Sequence, residues 1–161
     1  MNVLPMANFQ APEVHWVSLA PILIVLGGAV LGVLVEAFAP AKARRPLVIG
    51  LSILATAGAC VMLALRWAPV LATPVTLGEY MEDPLTIAAQ SALAIIGFFA
   101  VLVMADRTSV GDGAFAAQPS DRPDSAAEEL SERKGYQRYE IFPLHLFSLG
   151  GLMIFPAAAN F

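Results

Sequence analysis

Two ionisable side chains, Glu36 and His145, lie inside long apolar stretches of the sequence, where they could do acid–base chemistry. An ionisable residue in such a stretch is a candidate functional residue, and histidine gains or loses a proton near neutral pH. Glu36 lies three residues from the end of its stretch, so an interfacial role competes with a place in a proton path or in a buried helix contact. His145 is the second proton-path candidate, although a lone histidine in a membrane often bonds a neighbouring helix instead.

Small residues near these candidates indicate where helices can touch. Gly28 and Gly32 are four residues apart, as are Gly32 and Glu36, so all three share one face of a helix. The doublet Gly150-Gly151 lies in the last apolar stretch. Because glycine lets helix backbones approach closely, the sequence predicts helix-packing positions at all four glycines.

The rest of the sequence offers little other chemistry. It has two histidines and one cysteine, without the spacing of metal ligands, so we predict no metal site and no internal disulfide. It contains no glycine-rich nucleotide loop and no nucleophile elbow. The formal net charge of −4, with no basic aromatic patch, argues against binding to nucleic acid.

Four apolar stretches must hold the candidate residues. The chain has 161 residues, of which 58% are hydrophobic and 14% charged, and the apolar residues are concentrated in these stretches. About 20 helical residues cross a hydrocarbon core about 30 Å thick. The sequence therefore predicts an all-α integral membrane protein with four transmembrane helices, at residues 17–39, 47–66, 84–105 and 140–161.

Lysine and arginine are distributed unevenly among the connecting segments, which predicts the orientation of the chain. The tail 1–16 has none, and segment 67–83 has none, although Arg66 lies at its edge and is expected to extend its side chain to the interface. The connector 40–46 contains three and segment 106–139 contains five. We therefore expect 40–46 and 106–139 to be cytoplasmic loops, 67–83 an outer loop, and both termini to lie on the outer, periplasmic side.

The long segment 106–139 is polar and rich in Gly, Pro, Ser, Asp and Glu, a composition that predicts disorder. Within it, the pattern from Ser125 to Glu128 is a capping box that could begin one short helix ending at Lys134. No candidate site residue lies in this segment.

Residue patterns at separated places of the chain match those of one protein family. The matching segments are Leu19-Ala20-Pro21, Leu34-Val35-Glu36-Ala37-Phe38, Asp83-Pro84-Leu85, Tyr139-Glu140-Ile141-Phe142-Pro143-Leu144, Ser148-Leu149-Gly150-Gly151-Leu152-Met153 and Ala157-Ala158-Ala159-Asn160. Together they resemble the N-terminal part of the antiporter-like subunit N of bacterial NADH–quinone oxidoreductase, respiratory complex I, and the long polar segment is similar to that of actinobacterial members. Ile22 departs from the family pattern, in which an acidic residue often follows the proline.

The resemblance implies a membrane-arm subunit, in the plasma (inner) membrane, that contributes to coupling quinone reduction to proton pumping. It implies neighbours K and M, and an enzymatic activity that belongs to the whole complex. FMN, iron–sulfur clusters and quinone are bound by other subunits of such a complex, so we expect this chain to bind no cofactor. The family's central proton-carrying residues lie in later helices, so we expect the sequence to be an N-terminal portion or a truncated form.

Two other functions remain open at this point. The sparse ionisable residues within the stretches are also typical of a nonenzymatic four-helix membrane scaffold or assembly protein. Cation/proton antiporters share ancestry with the subunit N family that the chain resembles, so the chain could instead be a subunit of an antiporter. The bilayer is a partner in all three interpretations.

Overall fold

The computed structural model describes residues 14–77, 80–106, 122–134 and 139–158. Two short strands, β1 (Val75–Leu77) and β2 (Tyr80–Glu82), pair antiparallel with Val75 opposite Glu82 and Leu77 opposite Tyr80. The remaining elements are helical: α1 (Trp16–Phe38), α2 (Ala41–Ala72), α3 (Pro84–Ala105), α4 (Ala126–Lys134), α5 (Ile141–Ile154) and a 3₁₀ turn (Phe155–Ala157). A mostly helical architecture is therefore confirmed, with one small hairpin added to it.

Helices α1, α2 and α3 are each long and apolar enough to cross a membrane. The fourth predicted span is shorter within the described residues: its 14 α-helical residues rise about 21 Å, and the 3₁₀ turn adds about 6 Å. Large apolar side chains face outward, including Leu54, Leu85 and Ile96, which are 70%, 76% and 66% exposed. This outward apolar surface suits a lipid environment, so the coarse prediction of an all-α membrane protein agrees with the structure.

Helix α2 extends beyond its predicted bounds, 47–66, at both ends. It begins at Ala41, so most of the predicted connector 40–46 is helical, and it ends at Ala72 inside the predicted outer loop. Pro46 and Pro69 lie within the helix and each removes one backbone hydrogen bond. Alanine, lysine and arginine around them are strong helix formers, which explains why the helix continues past both prolines.

The short helix predicted inside segment 106–139 is present as α4. The Ser125 Oγ accepts a hydrogen bond from the Glu128 N–H at 3.1 Å, and the Glu128 carboxylate accepts one from the Asp124 N–H at 2.8 Å. This is the reciprocal arrangement of a capping box. The prediction of disorder covers the whole of 106–139. Residues Ala126–Lys134 of it form α4, and residues 107–121 and 135–138 lie outside the described residues.

Helices α1, α2, α3 and α5 enclose a large buried apolar cluster, in which α5 packs between α1 and α3, and α2 packs against α1 and α3. Val25, Ala29, Ala59, Ala94 and Leu146 are fully buried there. Among α1, α2, α3 and α5, helices that follow one another run in opposite directions, so polar residues near their ends meet at two ends of the bundle. We call them the hairpin end, with Ser18, Arg66, Tyr80 and Glu82, and the Glu36 end, with Glu36, Arg44, Arg45 and Tyr139.

Candidate functional site

Glu36 lies in the last turn of α1 and connects three helices at the Glu36 end. Its side chain is only 9% exposed. Its Oε1 accepts a hydrogen bond at 3.2 Å from the N–H of Tyr139, two residues before α5, and lies 3.6 Å from the Arg44 Nη1 of α2. The distance to Arg44 is that of an ion pair rather than of a good hydrogen bond.

Two polar atoms of this cluster are buried without a hydrogen-bond partner among the described residues: the Glu36 Oε2 and the Arg44 Nε. The rest of the Arg44 guanidinium is used locally, since its Nη2 donates to the Ala39 carbonyl at 3.2 Å. A buried polar atom without a partner costs free energy, so these two atoms are positions at which water or a ligand would be stabilised.

A cavity of about 490 Å³ opens beside this cluster, between the end of α1 and the start of α5. Its polar wall is formed by Glu36, Arg44 and Glu140, and its apolar wall by four further side chains, which are Val33, Ala37, Pro143 and Leu144. The Glu36 end therefore combines a largely buried carboxylate with space for another molecule.

Arg45 holds the neighbouring residues in place. Its Nη2 donates to the Ala105 carbonyl at the end of α3 at 3.3 Å, and its guanidinium carbon lies 5.9 Å from the centre of the Tyr139 ring, within cation–π range. Tyr139 supplies the N–H that donates to the Glu36 carboxylate. Arg45, by contacting the Tyr139 ring, therefore helps to position that N–H.

His145, the second proton-path candidate, lies elsewhere in the bundle. Its half-buried ring places Nε2 at 3.2 Å from the Gly97 carbonyl of α3. A carbonyl can only accept, so Nε2 must have its proton for this hydrogen bond to form. Glu36 binds α2 and α5 whereas His145 binds α3, so these contacts do not join the two candidates, and the His145 contact favours a helix-bonding role.

The predicted packing glycines differ in their surroundings. A Cβ atom on Gly28 would lie 2.5 Å from the Ala55 Cβ of α2, and one on Gly32 would lie 3.1 Å from the Pro143 Cβ of α5. A Cβ on Gly150 would collide with the Leu26 side chain of α1. Gly151 differs from these three, because nothing in the described structure lies within 4 Å of that position.

The hairpin end contains an ion pair between Arg66 of α2 and Glu82 of β2. The Arg66 Nε donates to the Glu82 Oε1 at 3.0 Å, and its Nη2 donates to the Glu82 Oε2 and to the Ser18 Oγ, the latter at 3.1 Å. The side chains are 15% and 2% exposed. The Tyr80 hydroxyl donates to the Ser18 carbonyl at 3.1 Å, so β2 is bonded to both α1 and α2.

Comparison with known proteins assigns the chain to a family. No family model matches the sequence. NADH-quinone oxidoreductase subunit N of Beutenbergia cavernae is 46% identical over 95% of this chain. The proteins of the same name from Saccharopolyspora erythraea and Mycobacterium tuberculosis are 38% and 34% identical over 95% and 92% of it. The chain belongs to the subunit N family. It spans 31%, 30% and 31% of the length of these three relatives, respectively.

These matches confirm the resemblance to subunit N that the sequence patterns indicated. All three relatives have names that refer to an oxidoreductase, and none of these names refers to an antiporter or a scaffold. The two alternative functions therefore receive no support from the comparison.

The buried pair of Arg66 and Glu82 was not predicted from the sequence, which indicates only that Arg66 extends to the interface and that residues 67–83 form an outer loop. The available signal was that Arg66 is the only lysine or arginine between Arg45 and Arg107. A single charge in such a position needs a partner, and Glu82 comes directly before the helix entry Asp83-Pro84. The hairpin that turns Glu82 inward gave no comparable signal.

Helix α3 also caps the end of α5 at the hairpin end. The Gln90 Nε2 donates to the Met153 carbonyl and the Thr86 hydroxyl donates to the Pro156 carbonyl, each at 2.9 Å. The last carbonyls of a helix lack partners within it, so these side chains satisfy them. The backbone bridge between Tyr80 and Ala158 adds the hairpin to the same junction.

Two groups beside the helix entries have shifted pKa values. Burial raises the pKa of the Tyr80 hydroxyl, because it disfavours the charged form. The hydrogen bond from the Thr86 N–H to the Asp83 carboxylate, 2.6 Å long, lowers the pKa of Asp83. Both shifts favour the protonation state that makes the observed contact.

Metal chemistry finds no support in the described part of the chain. No group of three or more His, Cys, Asp or Glu side chains is close enough there to hold a metal ion. The chemistry available at the cavity of the Glu36 end is that of two carboxylates, Glu36 and Glu140, one guanidinium, Arg44, and the space beside them.

Proposed function

We propose that this chain contributes to the membrane arm of a proton-translocating NADH-quinone oxidoreductase, where it helps to couple quinone reduction to proton pumping. The observation that supports this most is the 46% identity to a named subunit N over 95% of the chain. Helices suited to a bilayer support it independently. We propose the plasma membrane as the location and subunits K and M as neighbours.

We propose that the Glu36 end faces the cytoplasm and that both termini face outward. Lys42, Arg44 and Arg45 all lie at the start of α2, at the Glu36 end. At the hairpin end, the charge of Arg66 is neutralised by Glu82. The excess of positive charge is therefore on the Glu36 end, and such an excess is kept on the cytoplasmic side.

For the two proton-path candidates we propose different roles. His145 joins α5 to α3 through the Gly97 carbonyl, which is a structural role. Glu36 lies at the last turn of its helix beside an open cavity, so it is placed to exchange protons with the interface rather than to relay them across the bilayer. The expected absence of a bound cofactor in this chain stays a prediction.

Co-purification tests the proposed function. The chain is expressed with an affinity tag in its own host and extracted in mild detergent, and the eluate is analysed for NADH-quinone oxidoreductase subunits. We expect the membrane-arm subunits, including K and M, to be enriched over a tagged unrelated membrane protein of similar size. Recovery of the free chain alone, beside an intact complex that lacks it, would contradict the proposal.

Two further measurements separate the alternatives. Deletion of the chain should reduce NADH-driven proton translocation in inverted membrane vesicles, whereas a scaffold outside the complex would leave it unchanged. Vesicles with this chain should show no gain in sodium- or potassium-dependent proton exchange. Such a gain would favour an antiporter subunit.

A further inference from the structure

We propose that the cavity at the Glu36 end binds a phospholipid headgroup with a primary ammonium next to a phosphate, as in phosphatidylethanolamine. The cavity volume of about 490 Å³ lies within the roughly 300–1,000 Å³ of small-molecule sites. The proposal goes beyond the proposed function, because it concerns a ligand of this chain that no relative's name mentions.

The first argument is the pair of polar atoms without partners. The Glu36 side chain is only 9% exposed, and thus 91% buried. Its Oε2 accepts no hydrogen bond from the described residues. The Arg44 Nε is likewise without an acceptor. The site therefore lacks one donor beside Glu36 and one acceptor beside Arg44, and an ammonium next to a phosphate supplies both.

The second argument is charge complementarity. The polar wall has two carboxylates, Glu36 and Glu140, and one guanidinium, Arg44, so it favours a group with a cation and an anion side by side. A phosphatidylglycerol headgroup would bring an anion without a cation. A choline headgroup has the cation, but its trimethylammonium has no N–H to donate to the Glu36 Oε2.

The third argument is the position of the apolar wall. Val33, Ala37 and Leu144 are exposed on the outside of the bundle, next to the polar wall. A ligand bound there contacts charged groups at the helix ends and apolar surface along the helices. A phospholipid has the same arrangement, because its acyl chains begin directly below its charged headgroup.

Native mass spectrometry of the full chain tests the proposal. The chain is purified in detergent with equimolar phosphatidylethanolamine, phosphatidylcholine and phosphatidylglycerol of identical acyl chains, and the retained lipid is counted. We expect preferential retention of phosphatidylethanolamine. Glu36→Gln should reduce that retention roughly tenfold or more, as expected for losing a hydrogen bond between charged groups, and should leave phosphatidylcholine unchanged.

Two variants keep the test decisive. Glu129→Gln removes the same charge on α4, where the side chain is 66% exposed, and should retain lipid like the wild type. Val33→Trp fills the cavity without changing a charge and should reduce phosphatidylethanolamine retention even if Glu36→Gln fails to fold. Equal retention of the three lipids, a preference for phosphatidylglycerol, or unchanged retention in both cavity variants would overturn the proposal. None of these outcomes depends on assembly into a larger complex.

Discussion

The two ends of the bundle each contain a glutamate paired with an arginine, but the pairs differ in almost every physical respect. At the hairpin end, Arg66 and Glu82 form two hydrogen bonds, and Ser18 binds a further arginine N–H. At the Glu36 end, the closest approach to Arg44 is 3.6 Å, and each partner keeps one buried atom without a hydrogen bond. The first pair is a structural connection, whereas the second leaves capacity for a ligand.

The comparison also shows what decides the role of an ion pair. Glu82 is 2% exposed, so its charge is stabilised mainly by the neighbouring Arg66 rather than by water. Glu36 lies beside a cavity, where water or a headgroup can stabilise the charge when Arg44 does not. The buried carboxylate of Glu82 therefore has a structural role, whereas the buried carboxylate of Glu36, which lies beside a cavity, is suited to binding a ligand.

The largest expected effect comes from breaking the pair at the hairpin end. Glu82→Ala leaves the Arg66 charge buried without its partner and should reduce the free energy of unfolding by about 3–5 kcal/mol. Unfolding by SDS in mixed micelles, followed by circular dichroism, measures this loss. Glu129→Ala, which breaks the exposed pair with Arg133, should cost only about 0–1 kcal/mol. A loss at Glu82 no larger than that of this control would remove the distinction between the two ends.

A smaller loss of stability is expected from disturbing the contact between α1 and α2 in the middle of the bundle. This test shows whether loose packing is confined to the cavity at the Glu36 end. Gly28→Ala would place a methyl 2.5 Å from the Ala55 Cβ and should destabilise the bundle by about 1–3 kcal/mol. The matched control is Gly27→Ala, because a Cβ there meets nothing within 4 Å. The same SDS titration compares them. If the two variants lose the same free energy of unfolding, α1 and α2 are loosely packed at Gly28 too, and loose packing is not confined to the cavity.

Acid should weaken the hairpin end through Asp83, the N-cap of α3. Its pKa is lowered in the folded state, so its stabilisation is complete above the ordinary pKa of 3.8 and is lost as the pH falls through the lowered value. Asp83→Ala should remove about 1 kcal/mol at neutral pH. The variant should then lose less stability than the wild type on acidification, in melting curves recorded across the acid range. Parallel curves for the two proteins would count against this assignment.

The smallest expected effect on stability comes from Glu36→Gln. The amide oxygen still accepts from the Tyr139 N–H, and the long contact with Arg44 contributes little, so the free energy of unfolding should change by less than about 1 kcal/mol. In a normally assembled complex, NADH-driven proton pumping in vesicles should fall modestly at most. Complete loss of pumping would place Glu36 in an essential proton path and would contradict its assignment to an interfacial binding site.

Much of the architecture could be predicted from the sequence because it follows from length, hydrophobicity and capping. The apolar stretches predict the membrane helices, and Ser125 with Glu128 predicts α4. The extension of α2 past Pro46 could not be predicted with the same rules, since a proline usually ends a helix but here costs only one hydrogen bond.

The polar contacts were harder to predict than the helices, because they depend on which residues meet across the bundle. Gly150 and Gly151 are equivalent in sequence, yet only Gly150 faces α1. Glu82 could be paired with Arg66 only once the orientation of β2 was known, since Glu82 is buried whereas its neighbour Met81 is exposed. Glu36 was identified as a candidate from its position alone, but the cavity beside it is a property of the packed helices.

The most direct test of the whole account is the reactivity of single cysteines at the two ends of α2. Cys60 is replaced by alanine, and one cysteine is introduced either at Ala41, beside the Glu36 end, or at Thr73, beside the hairpin. A membrane-impermeant maleimide applied to intact cells should label the cysteine at position 73 and should label the one at position 41 only after the membrane is opened. Labelling of both positions in intact cells, or of position 41 alone, would contradict a bundle that spans the membrane with its Glu36 end in the cytoplasm.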